Sequence, residues 1–165
     1  MVVTFLPYDD FFESLYYLDV KRLGKQRVEA FQILNVLTKL QQDPDYKGAW
    51  SNTPQVRMWQ GYEDALRDYL NTAIECWTLR GYQNNMDYHP VPDDYELPWW
   101  FGWDHLHCSH QASLLRKDPD YYSQLYILDP WYIDKGYLWP NKVDKEHRLT
   151  TKKIDIFAPV SPPRN

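Results

Sequence analysis

Between Val56 and Trp77 the apolar residues Val56, Trp59, Tyr62, Leu66, Tyr69, Ala73 and Trp77 recur at spacings of three and four. Such spacing places them on one stripe of an α-helix. Thr53-Pro54 supplies a cap and a proline at the first helical position, and Gly81 a natural stop, so the pattern predicts one long amphipathic helix from 54 to 81. A second stripe, Leu23, Ala30, Ile33, Leu34 and Leu37, predicts a helix over about 19–42. Gly24 is its weak point, costing about 1 kcal/mol relative to Ala. Asp9-Asp10 caps a short helix through Leu18, Asp104 caps a helix to about Lys117, and Asp118-Pro119 opens a short helix holding Tyr121, Tyr122 and Leu125. Pro44 and Gly48 make 43–52 a loop, and Pro90, Pro92 and Pro98 make 82–98 irregular. The expected class is all-α, a compact helical bundle with a long central helix and irregular, aromatic-rich loops.

At 165 residues the chain is long enough for one domain with a core of its own. The expected domain covers 1–141. Residues 142–165 hold six Lys/Arg, three Asp/Glu and three Pro with little apolar content, and read as a mobile basic tail. The formal net charge is −5, which excludes a strongly cationic, histone-like binder but not a local basic patch. Cys76 and Cys108 are too few for a disulfide framework or a four-thiolate zinc site. No apolar stretch approaches the roughly 20 residues of a membrane span, and no signal peptide is evident, so a cytoplasmic location is expected.

Eight Trp, fourteen Tyr and six Phe make 17% of the chain aromatic, many flat faces for packing or for stacking on planar ligands. Four of them form the corner Trp99-Trp100-Phe101-Gly102-Trp103, and at least one ring of it is expected to be exposed for base stacking.

The helix over 19–42 has a second face. Lys21, Arg22, Lys25, Glu29 and Gln32 lie within about 100° of one another on a helical wheel, opposite Leu23, Ala30 and Leu34. One reading is a solvated face with a Lys25/Glu29 pair. The other is a phosphate-binding strip around a working carboxylate. The nearby cations are expected to lower the Glu29 pKa and keep it charged. A second constellation runs from Asp104-His105-Leu106-His107-Cys108-Ser109-His110 to Arg116-Lys117. Its spacing is poor for zinc, so no metal is expected. Its histidines are either buried or capping, or else His107, His110, Arg116 and Lys117 line a groove as phosphate and base contacts.

Several stretches resemble one family. They are Thr4-Phe5-Leu6-Pro7-Tyr8, Leu18-Asp19, the run from Lys21 through Leu23-Gly24-Lys25-Gln26-Arg27-Val28-Glu29-Ala30, and Gln32-Ile33-Leu34. Trp50, Asn52, Pro54, Met58-Trp59, Gly61-Tyr62-Glu63 and Ser109-His110-Gln111-Ala112-Ser113 continue the likeness. Over about residues 4 to 140 these resemble the pyrimidine-dimer DNA glycosylase (endonuclease V-like) family, in its bacterial and phage branch with the LGKQRVEA signature. The resemblance implies a bifunctional glycosylase/AP lyase acting on lesion-containing double-stranded DNA, monomeric and without a cofactor. A mature N-terminal amine, here that of Val2, would attack C1′ and form an imine, Glu29 would orient charge and protons, and β-elimination would cut the strand. An α-amine suits this, because its pKa of about 7.7–8 leaves part of it neutral at physiological pH. Val28 and Gln32 stand where the family's enzyme carries arginines. The alternatives are a non-catalytic DNA-binding module of the same fold and a small-molecule-binding protein built on the aromatic corner.

Overall fold

Asp10 begins the first helix by accepting a hydrogen bond on its side chain from the Glu13 N–H at 2.8 Å. That satisfies a donor which the helix itself leaves unpaired. In the computed structural model, which describes residues 2–141 and 144–146, this helix (α1) spans Phe11–Tyr16. Asp19 caps α2, Val20–Gln42, through the Arg22 N–H. There follow α3 (Pro54–Arg57), α4 (Glu63–Leu79), α5 (Asp104–Lys117), α6 (Pro119–Tyr122) and α7 (Pro130–Ile133). The described residues contain no strand, and the class is all-α. The basic tail lies almost wholly outside the described residues.

The helix expected over 54–81 is two helices. The chain leaves α3 after Arg57, turns through Gly61 at φ +87°, and re-enters helix at Glu63. A positive φ is strained for residues with a Cβ and open to glycine, so Gly61 is the breaker. Trp59 remains fully buried within the turn, which is why the apolar spacing carries across the break. Helix α7 was not anticipated either. Its start at Asp129-Pro130 repeats the cap-and-proline signal of Asp118-Pro119, with Asp129 accepting from the Trp131 N–H at 2.8 Å. The short helix after Asp118 closes at Tyr122, before Leu125.

The described residues pack into two units. The first comprises residues 2–5 and Asp10–Pro98. In it α2 and α1 both pack on α4. Leu23, Ala30, Ile33, Leu34 and Leu37 from α2 are buried, as are Leu66, Tyr69, Leu70, Ala73 and Ile74 from α4. Each large aliphatic side chain so buried contributes about 1.5–3 kcal/mol of transfer free energy. Gly24 sits where α2 meets Trp77, and a Cβ there would lie 3.1 Å from the indole. The glycine that weakens the helix locally admits the tryptophan.

The second unit comprises Leu6–Asp9 with residues from Trp99 onward. Its centre is α5, on which every residue from His105 to Leu114 is buried, with α6 and α7 packed against it. Cys108, Ala112 and Tyr132 form a small apolar cluster there, joined by Leu128 and Leu138.

Candidate active site

The amino-terminal residues of the first unit run in extended form against α2 and α4, pinned at successive positions. The Val3 N–H approaches Glu29 Oε2 at 3.4 Å. Thr4 Oγ1 accepts from the Trp59 indole N–H at 3.0 Å. The Phe5 N–H donates to Gln26 Oε1 at 2.8 Å, and the Phe5 carbonyl lies 2.8 Å from the Tyr69 hydroxyl. Backbone groups lacking a strand partner are thus satisfied by side chains. Val2 is itself buried. The start of the described chain therefore lies beside Glu29.

Glu29 is half-buried and lines an open groove of ≈ 560 Å³ with Lys21, Lys25, Gln32, Gly24 and Trp77. The helical-wheel face expected from the sequence is this groove wall, with one exception. Arg22 is turned to its own cap residue, 3.1 Å from Asp19, and does not line the groove. Lys21 and Lys25 are exposed.

The Glu29 pKa is raised, contrary to the expectation from its neighbours. Burial is the largest influence, and it outweighs the Val3 N–H, Lys25 and the Gln26 amide, all of which favour the carboxylate. Desolvation penalises the charged form of an acid wherever water is excluded. Here the excluding groups include the amino-terminal segment, which no helical wheel contains.

Gln26 was missed by the sequence reading, although a signal was present. It stands three residues after Leu23 and four before Ala30, on the core stripe, and it is fully buried. Tyr69 was read only as core. Its hydroxyl lies 2.7 Å from Gln26 Oε1 as well as 2.8 Å from the Phe5 carbonyl, so its single hydrogen serves two acceptors. Trp77 is held rigid at the groove, with the Arg27 guanidinium 4.2 Å over its ring and Tyr82 stacked at 4.4 Å.

The second unit corrects the expectations for two histidines. His107 and His110 are 1% and 0% exposed, so neither lines a groove as a phosphate or base contact. The Leu6 N–H donates to His110 Nδ1 at 2.8 Å. His107 accepts from the Gly102 N–H on Nε2 at 2.9 Å, which leaves Nδ1 to donate to the Leu6 carbonyl at 2.7 Å. The two rings hold residue Leu6 by its N–H and by its carbonyl. Burial, with His107 beside it, pushes His110 down to about 3 and keeps it neutral. Among the described residues no group of three His, Cys, Asp or Glu is placed to hold a metal. Arg116 and Lys117 are exposed at the end of α5, and Arg116 donates to the Ile133 carbonyl at 3.0 Å. In the aromatic corner Trp100 and Trp103 are buried and Trp99 and Phe101 half-buried, so none of its rings is an exposed platform.

A half-buried acid and two exposed lysines in one groove define a helical protein with an acid set among cations. The comparison with known families narrows that class to one. The family model for pyrimidine dimer DNA glycosylase matches residues 2–90, more than half of the chain, and the protein belongs to that DNA glycosylase family. No curated protein and no solved structure matches it. The matched span contains the whole groove. No helix among the described residues is long and apolar enough to cross a membrane.

Proposed function

We propose that this protein is a bifunctional glycosylase/AP lyase that removes pyrimidine dimers or a related lesion from duplex DNA through an N-terminal imine. The nucleophile is the α-amine of Val2, released by removal of Met1. Its lone pair forms a bond to C1′ as the C1′–base bond breaks and the base leaves with that electron pair. Opening of the sugar ring then yields the iminium. Loss of a proton from C2′ breaks the C3′–oxygen bond and expels the 3′ phosphate, and water returns the amine. Glu29 is the group that moves protons at these steps. Its raised pKa suits it to exchange a proton nearer neutrality than an ordinary carboxylate does. Lys21 and Lys25 neutralise phosphates beside it, Gln32 adds a polar contact, and Arg116 and Lys117 are a further pair of candidate phosphate contacts.

The observation carrying this reading is the 3.4 Å approach of the Val3 N–H to Glu29, which sets the backbone of residue 2 next to the acid. The test is borohydride trapping on DNA containing an abasic site, read by intact mass and peptide mapping. The expected result is a covalent adduct on a chain lacking Met1, mapped to Val2, and lost or strongly slowed in Glu29→Gln. Salt-dependent DNA binding with no adduct would instead make the protein a non-catalytic DNA-binding module.

A further inference from the structure

Gln26 is a polar side chain on a core stripe, fully enclosed, and every hydrogen-bonding atom of its amide is directed. The Phe5 N–H can only donate, so the atom 2.8 Å away must be the carbonyl oxygen, Oε1. The Tyr69 hydroxyl, 2.7 Å from the same oxygen, agrees with that orientation. The amide nitrogen then has one place to point, and it donates to Glu29 Oε2 at 3.1 Å. A flipped amide would set two donors against each other at Phe5 and two acceptors against each other at Glu29.

We infer that Gln26 is a positioning residue that clamps the amino-terminal segment and the Glu29 carboxylate to one another, so that the acid and the backbone of residues 2–5 keep a fixed separation. The inference rests on the amine-and-acid reading above for its consequence, though not for its geometry. One turn of α2 carries both ends of the clamp, since residues three apart lie on the same side of a helix. Tyr69, from α4, closes it from behind. Neither glutamate nor methionine fills the role. A glutamate lacks the donor and adds a second buried acid. A methionine fills the space but leaves the Phe5 N–H and the Glu29 oxygen without the amide.

The groups that face Glu29 are Lys25 on α2, Tyr69 on α4, the Gln26 amide, the Val3 N–H and the positive charge of the amino terminus. The Val3 N–H meets the acid at 3.4 Å, and the Gln26 amide is the side chain that joins the amino-terminal segment to it at 2.8 and 3.1 Å. Its loss therefore has a signature distinct from general destabilisation, because the donor favours the carboxylate and its removal moves the Glu29 titration further up.

The experiment is a carbon-detected NMR titration of the Glu29 carboxyl in the DNA-free protein, with trapping rates on abasic DNA measured alongside. In Gln26→Met the Glu29 titration is expected to rise by about half a pH unit or more. The trapping rate is expected to fall by about tenfold, with DNA affinity unchanged. An unmoved titration in folded Gln26→Met overturns the inference. Should that variant fail to fold, Gln26→Glu retains the acceptor for Phe5 and gives a second decision. Two acids in the clamp share a proton, and their upper titration moves above that of the parent. Two separate, ordinary carboxyl titrations would overturn the inference as surely. Absence of any adduct with the parent protein sinks the lyase reading instead, and leaves the titration to judge Gln26 by itself.

Discussion

Replacing Gly24 by alanine sets two effects of opposite sign against each other. Alanine in a helix interior is about 0.8–1 kcal/mol more favourable than glycine, and from the sequence that is the whole effect. In the folded protein the new Cβ would lie 3.1 and 3.2 Å from two Trp77 ring carbons, closer than ordinary van der Waals contact. The ring has little room to yield. Arg27 lies over it at 4.2 Å, Tyr82 stacks on it at 4.4 Å, and its N–H donates to the Gln83 carbonyl at 3.0 Å. Overpacking against a fixed neighbour costs about 1–3 kcal/mol, so Gly24→Ala should be destabilising by up to about 2 kcal/mol after the helical gain. At about 2–4 °C per kcal/mol for a chain of this size, thermal denaturation followed by circular dichroism should show a fall of several degrees. Pairing the change with Trp77→Leu, which removes the obstructing ring, should recover the helical gain, a coupling that a double-mutant cycle isolates. A Gly24→Ala protein about 1 kcal/mol more stable than its parent would refute the reasoning, for it would mean that the ring is free to move aside.

Glu29→Gln should be at least as stable as the parent at pH 7 while losing activity. A carboxyl whose pKa is raised by folding opposes the folded state above its unfolded value, and removing the charge removes that opposition; chemical denaturation at pH 7 and pH 4 measures it. Neutralising Lys21 and Lys25 together should weaken binding to duplex DNA and reduce the slope of log K against log salt by about 1.8, near 0.9 for each phosphate released. His110 is held neutral in the fold with its pKa pushed down to about 3, so the unfolded chain takes up its proton first. The contribution of His110 is fully present above about pH 6.5 and is lost as the pH falls from there toward 3. His110→Gln, which keeps an acceptor for the Leu6 N–H but cannot titrate, should flatten that dependence in pH-dependent melting curves.

The parts of this protein legible in its sequence are those with local causes. Helix α2 and its two faces follow from spacing along a single helix, and the groove wall of Lys21, Lys25, Glu29 and Gln32 was visible because one helix displays all four. The break at Gly61 was hidden by the apolar spacing that runs across it, although the glycine stood in view. His107 and His110 could not be placed by any local pattern, because the Leu6 peptide that engages them lies 101 and 104 residues away along the chain.

The amino-acid order alone settled the helical class and set Glu29 on one helix face with its flanking lysines, since periodicity and caps act over a turn or two. Tertiary packing decided the upward shift of that acid's pKa, the enclosure of the histidines and the meeting of Gln26, Tyr69 and the amino-terminal segment. These depend on which distant segment excludes water from a polar group, and desolvation is a property of the folded surroundings rather than of neighbours in the chain.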